Sequence, residues 1–142
     1  MSDICRAVTE IARCGAQYRA DHLAPLGLKG CHASYLQEIC SDPGISQDTL
    51  AQRICINKSN VARQVAILEE DGFVERRPSQ ADKRVMELYP TEKTLALMPQ
   101  ITAVTTRWEQ CITQELTEEE IGLITRLLSG MKDKAARWME ER

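Results

Sequence analysis

Residues 74–90 read VERRPSQADKRVMELYP, two short runs of alternating apolar and polar residues on either side of a polar turn. This alternation predicts a β-hairpin with strands over Val74–Arg77 and Arg84–Tyr89 and with PSQAD in the turn. Residues 76–84 hold four basic side chains against one aspartate, a local charge of +3, although the 142-residue chain has a net charge of −3. Because nearby charges set the field within about a Debye length, ~8 Å, the hairpin is suited to an anionic partner such as a phosphate backbone.

Two short helices are predicted immediately before the hairpin. Ser46 is suited to cap the first helix, which runs through Ile54, and Asn57 to cap the second, because Ser and Asn side chains accept hydrogen bonds from a first helical turn. Asp71-Gly72 ends the second helix, with glycine in the left-handed conformation. The apolar residues that predict the inward faces are Leu50, Ile54, Val61, Val65 and Leu68. Two helices, a short turn and a hairpin are the elements of a winged helix-turn-helix.

The polar residues of these two helices are suited to contact DNA. A helix fits the major groove, where each base pair presents a distinct pattern of donors and acceptors, and the preceding helix braces it against the backbone. Arginine can bond guanine with two hydrogen bonds, and asparagine and glutamine can do so with adenine. The residues predicted to contact DNA from the helices are Ser46, Gln47, Lys58, Ser59, Asn60, Arg63 and Gln64. For Lys58 and Ser59 a second interpretation stays open, since either could be solvated or could cap the helix.

The hairpin is predicted to be a wing that reaches the flanking groove. Its residues predicted to contact DNA are Arg76, Arg77, Asp82, Lys83 and Arg84. Arg84 is the candidate for insertion into a narrow minor groove, whose concentrated negative potential attracts arginine, and Asp82 can orient its guanidinium. Lys83 lies near the tip, while Arg76 and Arg77 contact the phosphate backbone from the strand. Arg77 could equally pair with Glu75.

Long helices are predicted at both ends of the chain. An apolar face from Ile4 to Tyr18 predicts a first helix over residues 3–21, and a second helix over 31–40 follows the break at residues 25–30. After the hairpin, two further helices carry apolar residues at heptad spacing, and Thr117 and Glu120 form a capping box before the last one. The apolar residues of these two stripes are Leu97, Ile101, Val104, Trp108, Cys111, Ile121, Ile124, Leu128, Met131, Ala135 and Trp138. The terminal stripes together exceed what one small lobe can cover, which predicts a homodimer that reads half-sites about 34 Å apart.

The central segment strongly resembles the MarR family of bacterial winged-helix regulators. The resemblance is carried by residues 43–93, PGISQDTLAQRICINKSNVARQVAILEEDGFVERRPSQADKRVMELYPTEK, and above all by LEEDGFVERRPSQADKR with its Asp82-x-Arg84 wing. The LGLK turn at residues 26–29 and the long terminal helices match as well. The resemblance implies a mainly α (α+β) fold, a homodimer with interlocking terminal helices, binding of palindromic double-stranded DNA, and repression relieved by a small ligand or an oxidant. The expected segments are a dimerisation helix with its connection (1–30), the winged helix-turn-helix lobe (31–90) and C-terminal dimerisation helices (91–142).

The six cysteines leave a second function open. They are Cys5, Cys14, Cys31, Cys40, Cys55 and Cys111; with no CxxC pair and no secretory leader, they are predicted to be free, mostly buried thiols. One subgroup of the MarR family senses peroxides through a reactive cysteine in the first helix, near tyrosines. Cys5 lies roughly at that place and Cys14 about two to three turns beyond, but Arg19 and Gly30 stand where tyrosines are expected. The alternative function is a cysteine-based redox sensor or a protein-interaction module on the same fold, with weak or no DNA binding.

Other classes of function find little support in the residues. Three possible metal ligands could approach one another near the helix predicted over residues 31–40, namely His22, Cys31 and His32. The chain has only two histidines, however, and no metal site or cofactor is predicted. No glycine-rich phosphate loop, serine–histidine pair or paired carboxylate motif is visible, so an enzyme is not expected. The N-terminus lacks a basic segment followed by an apolar one, and no uncharged run is long and apolar enough to cross a bilayer. We therefore expect a cytoplasmic protein without membrane contact.

Overall fold

The computed structural model describes residues 3–142 as a mainly helical chain with one small antiparallel sheet. The helices are α1 Ile4–Leu23, α2 His32–Ser41, α3 Gln47–Ile54, α4 Lys58–Glu70, α5 Glu92–Thr113 and α6 Glu118–Glu141, and the strands are β1 Ile45–Ser46, β2 Val74–Pro78 and β3 Met86–Pro90. A single 3-10 turn, Ala24–Leu26, follows α1 where Pro25 was predicted to break the pattern. The prediction of a mainly α fold with a winged helix-turn-helix is confirmed. The first two residues of the predicted segment 1–30 lie outside the described residues. None of the helices in residues 3–142 is long and apolar enough to span a membrane.

The predicted caps of α3, α4 and α6 are confirmed, and each consists of local side-chain hydrogen bonds. Ser46 and Asn57 each accept a bond from the N–H three residues later, at 3.1 and 2.8 Å. At α6, the Glu120 N–H donates to the Thr117 hydroxyl at 3.1 Å and the Thr117 N–H donates to the Glu120 carboxylate at 2.9 Å. Gly72 ends α4 with a φ of +83°, the left-handed conformation that disfavours residues with a Cβ.

The sheet differs from the predicted hairpin in two respects. A two-residue strand, β1, pairs with β3, with Ile45 opposite Leu88, so that the strand order is β1-β3-β2. The second hairpin strand begins at Met86, and not at Arg84, because a bond from the Val85 N–H to the Asp82 carbonyl at 2.9 Å folds residues 82–85 into a turn. Arg84 therefore lies in the turn of the wing, ahead of the strand.

The core fills the space between α2, α3, α4, the sheet and the first half of α5. Four of the five residues predicted to face inward are fully buried, and Ile54 is half-buried against the same cluster. Each fully buried Leu or Val of this size contributes about 1.5–3 kcal/mol relative to an exposed one. The other large residues buried in this cluster are Leu23, Tyr35, Leu36, Ile39, Phe73, Leu88 and Ile101. This core holds α4 against the lobe and directs its polar face outward.

Part of the α5 stripe that was predicted to form a dimer seam packs within the chain. Ile101 is fully buried and Val104 is only 7% exposed. Trp108 closes the crossing of α5 with α1: its Nε1 lies 2.8 Å from the position that a Cβ on Gly15 would occupy, and its ring is 5.4 Å from that of Tyr18. Heptad spacing showed that the stripe needs cover, and the cover is α1 and α2 of the same chain.

The apolar faces of α1 and α6 have no cover within the chain. No described residue of α6 is buried, and Leu127, Leu128 and Trp138 are 50%, 46% and 64% exposed. Between α1 and α6 runs an almost entirely apolar groove of about 550 Å³, with Val8 on one side and Leu128 and Met131 on the other. A contiguous exposed apolar surface of this kind is typical of an interface with another protein molecule.

Candidate nucleic-acid interface

Helix α4 presents its N-terminal half to solvent beside the turn that follows α3. Cys55 makes this turn with a φ of +58°, the only described non-glycine residue with positive φ, and its N–H bonds the end of α3. Val61 and Val65 hold one side of α4 in the core, which leaves Lys58 and Arg63 exposed on the other. The partial positive charge of a helix N-terminus adds to these cations and favours a phosphate nearby.

The polar residues of α4 differ in how free they are. Arg63 is exposed, and no described residue bonds its guanidinium. Lys58 pairs with Asp48 at 3.3 Å, but both side chains are about 70% exposed, so the pair is weak and can open. The Ser59 hydroxyl donates to the Asn57 side chain at 3.0 Å and so belongs to the cap, the second interpretation left open by the sequence. Asn60 is half-buried, so among these four residues Arg63 is the freest.

Gln64 does not point freely outward as predicted. It is half-buried, and its side-chain oxygen lies 2.9 Å from Nε2 of His32, a buried residue at the start of α2. Burial lowers the pKa of His32, and Lys29 lowers it further, while the bond to Gln64 and the charge of Asp71 oppose this shift. The contact was invisible in the sequence because the two residues are 32 positions apart and polar residues near a helix start have many local uses.

Arg76 is an internal link and not a free phosphate contact. Its guanidinium donates to the Glu69 carboxylate at 3.1 and 3.0 Å and to the Gln47 side-chain oxygen at 3.3 Å, and its backbone N–H also bonds Glu69. Only about a quarter of the Arg76 side chain is exposed. The residue therefore ties β2 to α4 and to the start of α3, where it engages the side-chain oxygen of Gln47, a half-buried residue that was predicted to contact DNA. Because Arg76 is half-buried, its charged hydrogen bonds contribute to the stability of the fold.

Arg77 adopts the alternative that the sequence left open. Its guanidinium donates to both carboxylate oxygens of Glu75, at 3.2 and 3.0 Å, and lies 4.4 Å above the ring of Tyr89. These hydrogen bonds and the Arg77 charge lower the pKa of Glu75. The side chain is half exposed, so this pair forms part of the wing surface and can exchange its partner for a phosphate.

The wing tip holds an oriented arginine. The Arg84 guanidinium donates to Asp82 at 3.1 and 3.2 Å, and the Arg84 N–H bonds the same carboxylate at 3.1 Å. The side-chain bonds and then the backbone bond lower the pKa of Asp82, so this group stays charged. Arg84 is nevertheless 91% exposed, and neighbouring Lys83 is exposed with no bond to any described residue. The expected orienting role of Asp82 matches this geometry.

Comparison with known proteins places this geometry in a family. Residues 32–86, from the start of α2 to the first residue of β3, match the MarR family. The helix-turn-helix regulator YybA of Bacillus subtilis is 29% identical over 137 residues, which cover 96% of this chain and 91% of YybA. The chain belongs to the MarR family. The crystal structure of the transcriptional regulator SlyA is 29% identical, covers 98% of both chains and superposes with a TM-score of 0.93.

As a MarR-type regulator the protein is a DNA-binding regulator of transcription. A MarR family regulator from Listeria monocytogenes, solved in complex with a 26mer DNA, is 28% identical and covers 98% of this chain and 93% of its own, with a TM-score of 0.93. The residues described above as exposed lie on the helix-turn-helix and wing that define this fold. The predicted family and winged-helix architecture are confirmed.

The cysteines of this MarR protein are free thiols, but the prediction that most are buried is wrong. Cys40 is half-buried, which raises the pKa of its thiol, and the other five are exposed. Cys5 and Cys14 lie on faces of α1 that the lobe does not cover, and Cys31 and Cys55 lie at helix ends. Periodic apolar segments suggested burial, but these positions fall outside the covered stripes.

The three residues considered for a metal do not assemble into a site. Nδ1 of His22 bonds the Tyr18 carbonyl at 2.8 Å and its ring stacks on that tyrosine, while both ring nitrogens of His32 are engaged in hydrogen bonds. Over residues 3–142 no group of three His, Cys, Asp or Glu side chains could hold a metal ion.

A separate cavity of about 380 Å³ lies between the α3–α4 turn and the end of α6, where Cys55, Lys58, Met139 and Arg142 contribute to its wall.

Proposed function

We propose that this MarR-type regulator is a homodimeric repressor that binds a palindromic operator through α4 and the wing and is released by a small-molecule effector. The observation that carries the proposal is the Glu69–Arg76 link, which joins the reading helix to the wing strand through charged bonds of 3.0 and 3.1 Å. Arg63 on α4 and Arg84 on the wing thus belong to one lobe whose two DNA-facing elements move together. Repression follows if an occupied operator overlaps a promoter.

The proposed dimer forms through α1, α6 and the end of α5. A second copy would fill the apolar groove beside Val8 and Leu128 and cover the exposed stripe of α6. The closed two-fold symmetry of a homodimer then places two winged lobes for two half-sites. The segments 1–30 and 91–142 serve dimerisation and 31–90 binds DNA, except that Ile101 and Val104 belong to the lobe core.

The proposed effector site is the cavity between the α3–α4 turn and α6. Its volume, about 380 Å³, lies within the range of small-molecule pockets, roughly 300–1,000 Å³. Lys58 and Arg142 supply two positive charges against the single negative charge of Glu140, and Met139 and Ile56 supply apolar surface, which suits an aromatic or aliphatic acid. An occupant would touch the N-terminal turn of α4 directly, and it would therefore change the orientation of the reading helix.

Fluorescence anisotropy on an operator selected from random duplexes tests the proposal. We expect tight binding of one dimer per palindrome, with log K falling linearly with log salt concentration at about 0.9 for each neutralised phosphate. Weak binding without a steep salt dependence would favour the protein-interaction module. Release by hydrogen peroxide that Cys5→Ser or Cys14→Ser abolishes would favour the redox sensor in place of the small-molecule effector.

A further inference from the structure

His32 is a buried residue whose hydrogen bonds determine its own tautomer. The side chain is 2% exposed, its Nδ1 lies 3.1 Å from the backbone nitrogen of Lys29, and its Nε2 lies 2.9 Å from the side-chain oxygen of Gln64. A backbone N–H can only donate, so Nδ1 accepts and carries no proton. A neutral imidazole has one donor and one acceptor, so Nε2 carries the proton. The group on Gln64 that faces Nε2 must therefore be the oxygen.

The same contacts determine what Gln64 offers to a ligand. Its oxygen accepts from His32 and lies 4.0 Å from the Cys31 thiol, which approaches from the same side. Its NH₂ group bonds no described residue. Among the described side chains, the one buried polar atom without a partner is the Tyr35 hydroxyl, so the Gln64 NH₂ reaches solvent. The oxygen has two lone pairs, for which the His32 N–H and the Cys31 thiol are the donors, so Gln64 presents its two amide donors on the surface of the reading helix.

We propose that His32 is a specificity-determining residue, which holds Gln64 as a donor-only reader of a base edge. The inference rests on the proposed function, in which α4 lies in the major groove. His32 itself touches no DNA and acts by positioning Gln64. The Lys29 N–H determines which His32 nitrogen carries the proton, because a backbone N–H can only donate a hydrogen bond.

A donor-only glutamine reads DNA differently from a free one. A free glutamine bonds adenine twice, since its NH₂ donates to N7 and its oxygen accepts from the adenine amino group. With the oxygen held by His32, Gln64 would meet the adenine amino group with donors alone, and the same applies to the cytosine amino group. Guanine presents two adjacent acceptors, N7 and O6, in the major groove. Gln64 should therefore select guanine at its position, against the adenine expected from residue type alone.

The tautomer is testable in the DNA-free protein by ¹⁵N NMR of the imidazoles at neutral pH. We expect His32 as the neutral form protonated at Nε2. His22 is the internal control, because its Nδ1 bonds a carbonyl oxygen and must carry a proton; His22→Gln assigns the two sets of signals. A His32 ring protonated at Nδ1, or at both nitrogens, would overturn the inference without touching the proposal that the protein binds DNA.

The reading rule is testable with base analogues in the selected operator. The position read by Gln64 is the one whose base preference Gln64→Met changes, since Met keeps the length of the side chain and removes the amide. At this position the wild type should prefer guanine, and 7-deazaguanine should weaken binding roughly 5- to 150-fold, while Gln64→Met should ignore the analogue. His32→Phe, which keeps a ring and removes both nitrogens, should accept adenine as well as guanine.

A wild-type preference for adenine at that position, or an unchanged preference in a folded His32→Phe protein, would refute the role of His32. If circular dichroism shows His32→Phe to be unfolded, the wild-type comparison of guanine with 7-deazaguanine and adenine still decides. Failure of the wild type to bind any selected duplex would instead refute the proposed function, and the NMR experiment would remain as the test of the tautomer.

Discussion

Replacing Arg84 by alanine should weaken operator binding roughly 5- to 150-fold for each half-site, the range expected for one lost specific arginine contact, and the proposed dimer loses this contact in both subunits. The fold should be unaffected, because the side chain is 91% exposed and its two side-chain bonds go to Asp82 alone. Since Arg84 is proposed to enter a narrow minor groove, the loss should be largest on operators with an A·T-rich flank. On G·C-rich flanks the wider groove removes most of the advantage of the arginine, and mutant and wild type should converge.

Asp82→Asn separates orientation from charge. Removing a negative charge near DNA would by electrostatics alone strengthen binding, whereas loss of the bonds that aim Arg84 would weaken it on A·T-rich flanks. We expect weaker binding, by less than in Arg84→Ala. Asn can still accept the bond from the Arg84 N–H, so the turn is kept.

The assay is anisotropy titration over a series of salt concentrations with two operators that differ only in their flanks. Lys83→Ala is the matched control, since it removes an exposed cation from the same turn; it should lower affinity equally on both operators and reduce the salt slope by about 1 per contact. Equal losses for Arg84→Ala on the two flanks would show that Arg84 contacts phosphate only. Tighter binding by Asp82→Asn would refute the orienting role of Asp82.

Three further predictions concern assembly, stability and pH. Leu128→Glu should reduce the mass measured by light scattering from dimer to monomer, whereas Val85→Glu on the wing should leave it unchanged; a persistent dimer would place the interface elsewhere. Arg76→Ala should lower the free energy of unfolding by about 1–3 kcal/mol because half-buried charged bonds are lost, while Arg77→Ala, at a more exposed pair, should change denaturation curves little. Because the folded-state pKa of His32 lies below the unfolded value of 6.5, the unfolded chain binds more protons in acid, and stability should fall as the pH drops from 6.5 toward the folded-state pKa. A His32→Gln variant that loses the same stability over that pH range would assign the loss to other groups.

The features that sequence predicted well are those decided within a few residues. The caps at Ser46, Asn57 and Thr117 need only a side-chain oxygen and an N–H three positions later, and the left-handed end of α4 needs only Gly72. The inward face of α4 follows from a period that no other element disturbs. These local rules were enough to place the helix-turn-helix and the inward side of α4, whereas Gln64, which was predicted to face outward, is half-buried against His32.

The features that sequence could not predict depend on which distant group arrives as a partner. Arg76 is a basic residue on a strand, and from the sequence it could bind a DNA phosphate as well as it binds the Glu69 carboxylate in the structure. Strand β1 exists because β3 passes beside Ile45, and two residues carry no periodic pattern of their own. Cys55 adopts a positive φ that residue type disfavours, at a cost of about 1–2 kcal/mol that the surrounding packing offsets.

With the proposed dimer, the uncovered face of α6 makes the amount of the regulator part of its control. The 24 residues of this helix bury no side chain within their own chain, so their apolar contacts form only when two copies associate. The population of assembled molecules then grows with the square of the supply of free chains, by mass action. At a low concentration of the protein its operators would be unoccupied, and a modest rise in its synthesis would increase their occupancy steeply.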